Sequence, residues 1–334
     1  MPLLKYVLAA CAALFFLSQI GRLRSPTGMT WAKEAQEAGS PSVTDFAPAF
    51  RAAGNRTMGF EKILVINLEQ RSDRRDRMSL LSAHTGIDIE YVPGMKGEQV
   101  DPKSIPLHWD PASGMGNLGS YRSHIGAVRE IVEKGYRSAI IMEDDLDWDL
   151  NVKYQLPLFA SNLDKLPPST FTPLSQAAAK STPNAPYGLN WDVIWLGTCM
   201  RPDPPANAHT YKDPVLESEI RVWNTDGGIA CTHAYGLTYE SAKAILAYGL
   251  DLNQPWDLHM SNFCKAHVCP LPSPPIIGFH QAAGRMSGAS DISPQGSTGE
   301  VREHAISIGV KHSALLDITE NVLPKPDFPP LAGS

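Results

Sequence analysis

The sequence carries no excess of basic residues. Its 334 residues include 29 Lys and Arg against 35 Asp and Glu, which gives a formal net charge of −6. Proteins that bind nucleic acid usually present a basic face, so no nucleic acid is expected as a partner. The hydrophobic fraction of 43% is that of an ordinary globular protein.

The sequence also lacks an apolar run of full membrane-spanning length. A transmembrane helix needs about 17–25 apolar residues, and the N-terminal run Tyr6–Leu17 is shorter. Extending the run to Leu3–Leu23, with the Lys5 ammonium reaching out of the bilayer, brings it close to that minimum. Because no A-x-A cleavage site follows, residues 1–24 are expected to form an uncleaved signal anchor rather than a removed signal peptide.

Two features favour the secretory pathway. A short span suits the thinner membranes of the ER and Golgi, and Asn55–Thr57 is an N-glycosylation sequon. We therefore expect a single-pass type II membrane protein of the Golgi or ER with a lumenal catalytic domain. If the N-terminal segment is cleaved, the protein is secreted.

Cysteines are few. Cys11 lies in the N-terminal apolar run, which leaves Cys199, Cys231, Cys264 and Cys269 for the folded part. In an oxidising compartment these four permit two disulfides with three possible connectivities, and four buried thiols are the alternative. Cys264 and Cys269 have no second close pair of cysteines, which argues against a zinc site.

Short apolar runs alternate with helical segments in the rest of the chain. Residues 25–58 are rich in small and polar residues and are expected to form a stem or linker, so the globular domain is assigned to 59–334. Within that domain, residues 156–190 form a Pro- and Ser-rich insertion loop. The alternation predicts an α/β fold with a mainly parallel central sheet. The predicted strands are Lys62–Leu68, Ile87–Val92, Ser138–Asp144, Trp191–Gly197 and Ala230–Thr238, and the predicted helices are Arg71–His84, Leu118–Gly135 and Tyr239–Leu250.

A cluster of acids follows the third predicted strand, in "AIIMEDDLDWD" (Ala139–Asp149). Ligands of open α/β sheets bind outside the carboxyl ends of the strands, and adjacent carboxylates repel each other unless a cation lies among them. The cluster therefore indicates a hard cation with oxygen ligands. An EF-hand is excluded, because its sixth and twelfth positions would be Leu150 and Leu156 instead of Gly and Glu.

Two other interpretations of the cluster stay open. One is a paired-carboxylate glycosidase, although no second strand-end carboxylate is clearly marked. The other is a solvated acidic turn. Within the cluster, Asp145 is the first candidate for metal binding, followed by Glu143 and Asp144. Asp147 and Asp149 are expected to lie in a solvated loop beyond the site.

Six segments of the globular part form an ordered set. They are "VINLEQRSDRR" (Val65–Arg75), "GSYRSHIGAVREIVEKG" (Gly119–Gly135), "AIIMEDDLDWD" (Ala139–Asp149), "WDVIWLG" (Trp191–Gly197), "THAYGLTYESAKAIL" (Thr232–Leu246) and "PWDLHM" (Pro255–Met260). In this order they resemble glycosyltransferase family 25, which includes bacterial lipopolysaccharide galactosyltransferases and collagen β-galactosyltransferases. The resemblance extends roughly over Ile63–Ile292, and the predicted N-terminal anchor, stem and insertion are similar to those of a fungal-type member.

The resemblance implies a GT-A-like nucleotide-sugar-binding fold. It also implies transfer of a hexose, usually galactose from UDP-galactose, to a glycan or glycoprotein acceptor. The triplet Glu143–Asp145 takes the place of the family's D-x-D motif, so Mn²⁺ (or Mg²⁺) is the implied cofactor. Arg71 or Arg74 would pair with the diphosphate, and an exposed helical turn is the alternative for both. The residues matching donor-binding positions are Asn67, Leu68, Arg71, Arg74, Ser123, His124, Glu143 and Asp144.

The implied metal ligands are Asp145, Glu143 and the late His280, for which a surface position is the alternative. Asp257 matches a late family Asp and is the candidate general base of an inverting displacement; a helix N-cap is its alternative. For His124, a packed position on its helix is the alternative to contact with the donor.

Trp256, beside the candidate base, is a candidate to stack on a sugar face. Gln281, Ser290 and Asp291 are similar to the family's closing Gln and Ser-Asp segment and have no assigned role.

Two rival functions remain open from the sequence. One is a non-catalytic relative that binds a sugar or a nucleotide. The other is a metal-dependent phosphoesterase or hydrolase that uses the same acidic cluster.

Overall fold

The predicted apolar runs form one central sheet. The computed structural model describes residues 42–175, 181–248, 254–286, 290–292 and 300–322. Numbered along this part of the chain, the strands are β1 (Lys62–Asn67), β2 (Glu90–Pro93), β3 (Ser138–Met142), β4 (Leu146–Trp148), β5 (Val193–Gly197), β6 (His209–Asp213), β7 (Ser218–Asn224), β8 (Ala234–Thr238), β9 (Pro270–Ser273), β10 (Ile277–Gln281), β11 (Gly284–Arg285), β12 (Val301–Arg302) and β13 (Ile306–Ile308). The central sheet has the order β2-β1-β3-β8-β5 and contains each of the five predicted strands.

The central sheet is mixed rather than mainly parallel. β1 runs parallel to β2 and β3, whereas β8 runs antiparallel to β3 and β5. The prediction of a mainly parallel sheet is therefore wrong for one half. Parallel neighbours need a crossover connection, but between β5 and β8 the chain turns back through the antiparallel pair β6 and β7, so a reversed strand can join the sheet.

Helices cover both faces of this sheet. They are α1 (Pro48–Arg51), α2 (Ser72–Thr85), α3 (Gly114–Lys134), α4 (Val152–Leu163), α5 (Tyr239–Tyr248), α6 (Trp256–Phe263) and α7 (Ala314–Asp317). Ile63 and Val65 of β1 belong to one core cluster, and Leu64 and Ile66 belong to the other, because successive side chains of a strand point to opposite faces. Burial on both faces explains why the strands read as continuous apolar runs.

Glycines end the two helices that follow the first two strands. Gly86 after α2 has φ 62°, and Gly135 after α3 has φ 68°. Both lie in the left-handed region that closes helices and that glycine adopts without strain. The predicted end of the second helix at Gly135 is confirmed.

Three smaller sheets flank the central one. β13, β10 and β4 form the first, β6, β7 and β9 form the second, and β11 pairs with β12. Through β10, the first of these places a late part of the chain beside the acidic segment, since Gly278 pairs with Asp147.

The described part of the predicted linker packs against the domain. Residues 42–58 form short helical turns, and Ala53 and Met58 are fully buried in a core cluster that also contains Phe159 of α4. Residues 1–41 lie outside the described residues, and with them the predicted signal anchor and most of the stem. In the part of the chain that is described, no helix is both long and apolar enough to cross a membrane.

The predicted insertion loop begins inside a helix. Its first residues, Leu156 to Leu163, belong to α4, and Leu156 and Phe159 are fully buried. Turns and loops follow up to β5 in the residues that the structure describes.

The four cysteines of the folded part form two disulfides. Cys199 pairs with Cys231, and Cys264 pairs with Cys269, with Cα separations of 5.5 and 5.7 Å. Both separations are usual for a disulfide. The first disulfide joins the end of β5 to the segment before β8, and the second closes the turn between α6 and β9.

Asp147 and Asp149 are buried, so the prediction of a solvated loop is wrong for them. Their exposed fractions are 0% and 1%. Asp147 accepts hydrogen bonds from the Ser313 hydroxyl and from Leu315 N, and Asp149 accepts one from His312 N at 2.9 Å. Burial raises the pKa of Asp147 against the effect of these hydrogen bonds. The two acids tether residues 312–315 to the domain, a long-range contact that local sequence does not reveal.

Replacing Asp147 by alanine is expected to lower the free energy of unfolding by about 2–4 kcal/mol, because the partly buried hydroxyl of Ser313 and the buried N–H of Leu315 would lose their acceptor. Urea unfolding measures the change. The control is Asp76→Ala, at an exposed position of α2, where a change below about 0.5 kcal/mol is expected. Equal losses in the two variants would contradict the tethering role.

Candidate functional site

A cavity of about 420 Å³ opens at the carboxyl ends of β1 and β3. This edge of an α/β sheet is where ligands bind. α3 and the segment after β2 supply further walls. The lining residues are Ile66, Leu68, Arg74, Met95, Lys96, Gly97, Glu98, Gly116, Gly119, Ser120, Ser123, His124, Glu143, Asp144, Asp145, Ser290, Asp291 and Ile292. The structure thus gathers most of the predicted donor-binding residues around one cavity.

Arg74 is a buried cation among the acids. It is 8% exposed, and its Nη1 and Nη2 lie 2.6 Å from Asp144 Oδ1 and 3.0 Å from Asp145 Oδ2. Asn67 Nδ2 donates to Asp144 Oδ2 at 2.7 Å. Burial alone would lower the pKa of Arg74, but the carboxylates of Asp145 and Asp144 raise it, so the guanidinium keeps its charge. Arg74 and Asn67 therefore hold the acidic triplet in place.

One oxygen of Asp145 has no partner among the residues that the structure describes. Its Oδ1 is buried and accepts no hydrogen bond from any described residue. Burial raises the pKa of Asp145, and the neighbouring Glu143 and Asp144 add to this against the effect of Arg74. Because a buried oxygen without a partner is costly, Oδ1 marks the point at which a cation or a donor group fits the site.

Glu143 is held from the side of β8. Its Oε1 accepts a hydrogen bond from Thr232 Oγ1 at 3.0 Å and lies 3.6 Å from His124 Nε2. Burial would raise the pKa of Glu143, but the contacts with His124, His233 and Thr232 bring it well below its usual range. Glu143 is therefore an anion at neutral pH.

Ser123 and His124, neighbours on α3, lie in different surroundings. Ser123 Oγ donates to Gly119 O at 2.7 Å and accepts from Met95 N at 2.8 Å, so it fixes the segment after β2 to the helix. His124 is 2% exposed and stacks on Trp256 with a centroid distance of 5.4 Å. Trp256 is itself 2% exposed, so it packs on His124 and presents no face to a sugar.

Arg71 forms ion pairs beside the cavity. Its Nε and Nη2 each lie 2.9 Å from a carboxylate oxygen of Asp73, and its Nη1 contacts Asp291. Asp291 Oδ2 also lies 3.8 Å from Arg74 Nη2. The Ser290–Asp291 segment, which had no assigned role, therefore borders the cavity and is held there by two arginines.

Three glycines let the cavity walls approach each other closely. A Cβ on Gly97 would lie 2.0 Å from Met115 O, and a Cβ on Gly119 would lie 2.6 Å from Met95 O. A Cβ on Gly116 would lie 2.4 Å from a backbone oxygen as well, so only glycine fits at these positions. These glycines were not among the predicted site residues, although the G-x-G-x-x-G spacing of residues 114–119 marks two of the three.

Asp257 does not line the cavity. It lies in the first turn of α6, where its Oδ1 accepts from Leu258 N at 2.8 Å and its Oδ2 accepts from Cys231 N at 3.0 Å. Both oxygens are thus engaged with backbone N–H groups. The N-cap of α6 is Pro255, so the N-cap alternative is wrong for Asp257, whose carboxylate binds backbone N–H groups instead.

His280 is also outside the cavity lining. It lies on β10, and its Nδ1 is 3.0 Å from Ser307 Oγ. Burial, together with nearby arginines, lowers the pKa of His280 to about 4. The structure does not bring His280 together with Glu143 and Asp145 into a metal-binding group; in the described ranges no three His, Cys, Asp or Glu side chains are so arranged.

The site nevertheless offers ligands for a hard cation. Asp145 has an unused carboxylate oxygen, and Glu143 is a second anion on the same cavity. Mg²⁺ is usually bound through one or two carboxylates, with waters and substrate phosphates completing its shell. The residues therefore fit an ion that takes only part of its ligands from the protein.

Comparison with known proteins agrees with this geometry. A family profile described as "Glycosyltransferase family 25 (LPS biosynthesis protein)" matches residues 60–260, which is more than half of the chain. The chain belongs to glycosyltransferase family 25. The match begins just before β1 and ends within α6, so it includes the two segments that carry Arg74 and the acidic triplet Glu143–Asp145.

Similar proteins of family 25 include some that are named as galactosyltransferases and one that is named as probably inactive. Procollagen galactosyltransferase 1 of Danio rerio is 32% identical over 239 residues, which cover 66% of this chain and 36% of that protein. Procollagen galactosyltransferase 2 of Mus musculus is 23% identical over 202 residues, or 57% of this chain and 28% of that protein. A "probable inactive glycosyltransferase 25 family member 3" of Rattus norvegicus is 26% identical over 239 residues, which cover 64% of this chain and 36% of that protein. The chain thus matches only about a third of the length of these relatives.

Replacing Arg74 by methionine is expected to lower the free energy of unfolding at pH 7 by about 3–5 kcal/mol, because the buried carboxylate of Asp144 and the partly buried one of Asp145 would be left without a cation. The loss should shrink at pH 5, since protonation removes uncompensated charge. Urea unfolding at both pH values tests this. Arg129→Met, which removes an exposed helical ion pair with Glu133, is the control, with an expected change below about 1 kcal/mol. An equal loss for Arg74→Met at both pH values would contradict the explanation.

Proposed function

We propose that this family 25 protein is a metal-dependent glycosyltransferase that transfers a hexose from a UDP-sugar to a glycan or glycoprotein acceptor. The observation that carries the proposal is the unpartnered Oδ1 of Asp145, in the family's acidic segment at a strand end. Galactose is the sugar we propose first, since two of the relatives are named procollagen galactosyltransferases.

The charge of the cavity supports a cation that accompanies the donor. Five carboxylates and two cations, Arg74 and Lys96, line it, so the formal balance is −3. A nucleoside diphosphate is an anion and would be repelled by this surface. A divalent cation held by these carboxylates would offset their charge and would make the binding of a diphosphate favourable. The carboxylates are Glu98, Glu143, Asp144, Asp145 and Asp291.

The protein residues have separate tasks in this proposal. Asp145 and Glu143 would hold the ion, which when bound supplies charge neutralisation for the leaving nucleotide. Asn67 and Arg74 keep the acidic triplet in place, and Leu68 lines the donor cavity. Ser123 fixes the segment after β2 to α3. His124 packs on Trp256 and lies beside Glu143.

The proposal contains no assigned general base. Both oxygens of Asp257 accept hydrogen bonds from backbone N–H groups, and the residue is absent from the cavity lining. A base must come within hydrogen-bond reach of the acceptor hydroxyl, and Asp257 does not meet this condition at the described cavity.

A second candidate function is a non-catalytic member of the same family. It is favoured by the similarity to a relative named as probably inactive. Such a protein would bind the nucleotide with the ion but would release no UDP from a UDP-sugar.

Asp145→Asn is expected to weaken UDP binding in the presence of Mn²⁺ by at least about tenfold, which corresponds to about 1.4 kcal/mol. The reason is that an amide oxygen lacks the charge that a hard cation prefers. Isothermal titration calorimetry with Mn²⁺ and with EDTA measures the effect. The matched control is Asp203→Asn, at an exposed position away from the cavity, for which unchanged affinity is expected.

A screen of UDP-sugars with Mn²⁺, reading UDP release, separates the two candidates. UDP release that requires the ion supports the transferase, and UDP binding without release supports the non-catalytic relative. Release of inorganic phosphate would indicate a phosphoesterase instead. A wild-type protein that binds no UDP with Mn²⁺ would contradict both candidates.

A further inference from the structure

A buried chain of polar groups lies behind Glu143. Trp256 Nε1 is 3.2 Å from Tyr235 Oη, and Tyr235 Oη is 3.0 Å from His124 Nδ1. On the other side of the imidazole, His124 Nε2 is 3.3 Å from Thr232 Oγ1 and 3.6 Å from Glu143 Oε1. Trp256, Tyr235, His124 and Thr232 are each at most 3% exposed, so water does not replace these contacts.

The donors and acceptors fix the direction of this chain. An indole N–H only donates, so Tyr235 Oη accepts from Trp256. Burial raises the pKa of Tyr235 well above its usual value, so the hydroxyl keeps its hydrogen. His124 Nδ1 is the acceptor within reach for that hydrogen among the described residues. If Nδ1 donated instead, the hydroxyl hydrogen would be buried without a partner, at a substantial cost.

The same order of hydrogen-bond donors and acceptors continues from His124 to Glu143 on the cavity wall. With Nδ1 as an acceptor, His124 carries its hydrogen at Nε2, on the side of Thr232 and Glu143. Thr232 Oγ1 can accept from that N–H and donates its own hydrogen to Glu143 Oε1 at 3.0 Å. The carboxylate on the cavity wall is therefore oriented through Thr232 and Tyr235, which do not line the cavity, and through His124, which does.

The position of Thr232 is fixed separately. The preceding residue, Cys231, has φ 61°, a left-handed conformation that is uncommon for a residue with a side chain. Its N–H donates to Asp257 Oδ2 at 3.0 Å, and its sulfur is bonded to Cys199. These constraints keep the Thr232 hydroxyl at Glu143.

We propose that Tyr235 is a positioning residue of the site. Its hydroxyl holds His124 as the Nε2–H tautomer and, through Thr232, keeps the Glu143 carboxylate oriented to the cavity. The inference rests on the proposed function only in taking Glu143 as a ligand of the donor–cation pair. The hydrogen-bond direction itself is independent of that function.

The tautomer is the first test. Nitrogen-detected NMR of the ¹⁵N-histidine-labelled full chain, with the His124 signal assigned from its loss in His124→Gln, should show the Nε2–H form in the wild type. Tyr235→Phe removes only the hydroxyl and should give a mixture of tautomers. An Nδ1–H tautomer in the wild type overturns the proposal, whatever the protein's enzymatic activity.

The affinity for Mn²⁺ and UDP is the second test. Tyr235→Phe is expected to weaken UDP binding in the presence of Mn²⁺ by about tenfold, the usual size of an outer-shell effect on a metal site. Tyr187→Phe is the matched control, because it removes another buried hydroxyl, which donates to Met58 O at 2.7 Å. The control should lose stability but keep its affinity for UDP. Equal loss of affinity in both variants would show a general effect of stability and overturn the positioning role.

A second inference concerns the surface at Asn55 and rests on different observations. Asn55 is exposed, and its Oδ1 accepts hydrogen bonds from Thr57 N at 2.8 Å, Thr57 Oγ1 at 3.1 Å and Gly59 N at 2.9 Å. All three bonds use the oxygen, so modification of the nitrogen leaves the turn intact. The turn also brings the Thr57 hydroxyl of the sequon to the side chain of Asn55.

We infer that Asn55 Nδ2 carries an N-linked glycan when the chain folds in an oxidising secretory compartment. Such a compartment fits the two disulfides. In the reaction, Nδ2 loses one hydrogen and bonds to the anomeric carbon of an oligosaccharide, whose lipid-linked pyrophosphate leaves with the proton.

The test compares three forms of the full chain expressed in eukaryotic cells. N-glycanase should reduce the mass of the wild type and of Thr57→Ser, which keeps the sequon. Asn55→Asp keeps the oxygen that holds the turn but lacks the amide nitrogen, so its mass should not change. The inference is overturned if the Asn55 peptide of the wild type is unmodified. It is also overturned if N-glycanase reduces the mass of Asn55→Asp as much as that of the wild type.

Discussion

The ion pairs of Arg74 with Asp144 and Asp145 are the contacts on which the site depends. Two carboxylates in sequence at the end of a buried strand repel each other and require a compensating charge. Arg74 supplies it from the first turn of α2, the helix that follows β1, and Asn67 at the end of β1 adds a hydrogen bond to the same acid. The parallel pairing of β1 with β3 brings these groups together. The strand order thereby turns two distant sequence motifs into one site.

The same arrangement leaves one oxygen in need of a partner. Arg74 engages Asp145 through Oδ2 only, and Oδ1 stays buried without a donor from the described residues. A purely structural ion pair would gain from satisfying both oxygens. The unsatisfied oxygen, on a cavity with more carboxylates than cations, is thus better explained by a ligand than by stability.

The sequence predicts well what depends on local pattern. Apolar runs identified the five strands of the central sheet, and Gly135 identified the end of α3, because burial and helix closure act on neighbouring residues. The predictions of a mainly parallel sheet and of a solvated Asp147 were wrong, because strand direction and the burial of Asp147 both depend on segments far along the chain. Ser313, which bonds Asp147, is separated from it by more than a hundred residues, and no local pattern at Asp147 reports such a partner.

Asp257 shows how a motif match and a geometric role can differ. Its place in "PWDLHM" suggested a catalytic base, yet its carboxylate holds the N–H of Cys231. Cys231 is followed by Thr232, whose hydroxyl donates to Glu143 on the cavity wall. Trp256, beside Asp257, donates to Tyr235, which contacts His124 behind the same carboxylate. Both motif residues therefore reach Glu143 only through intermediate groups. A motif can be specific for a family because it orients the site, without any of its atoms touching the substrate.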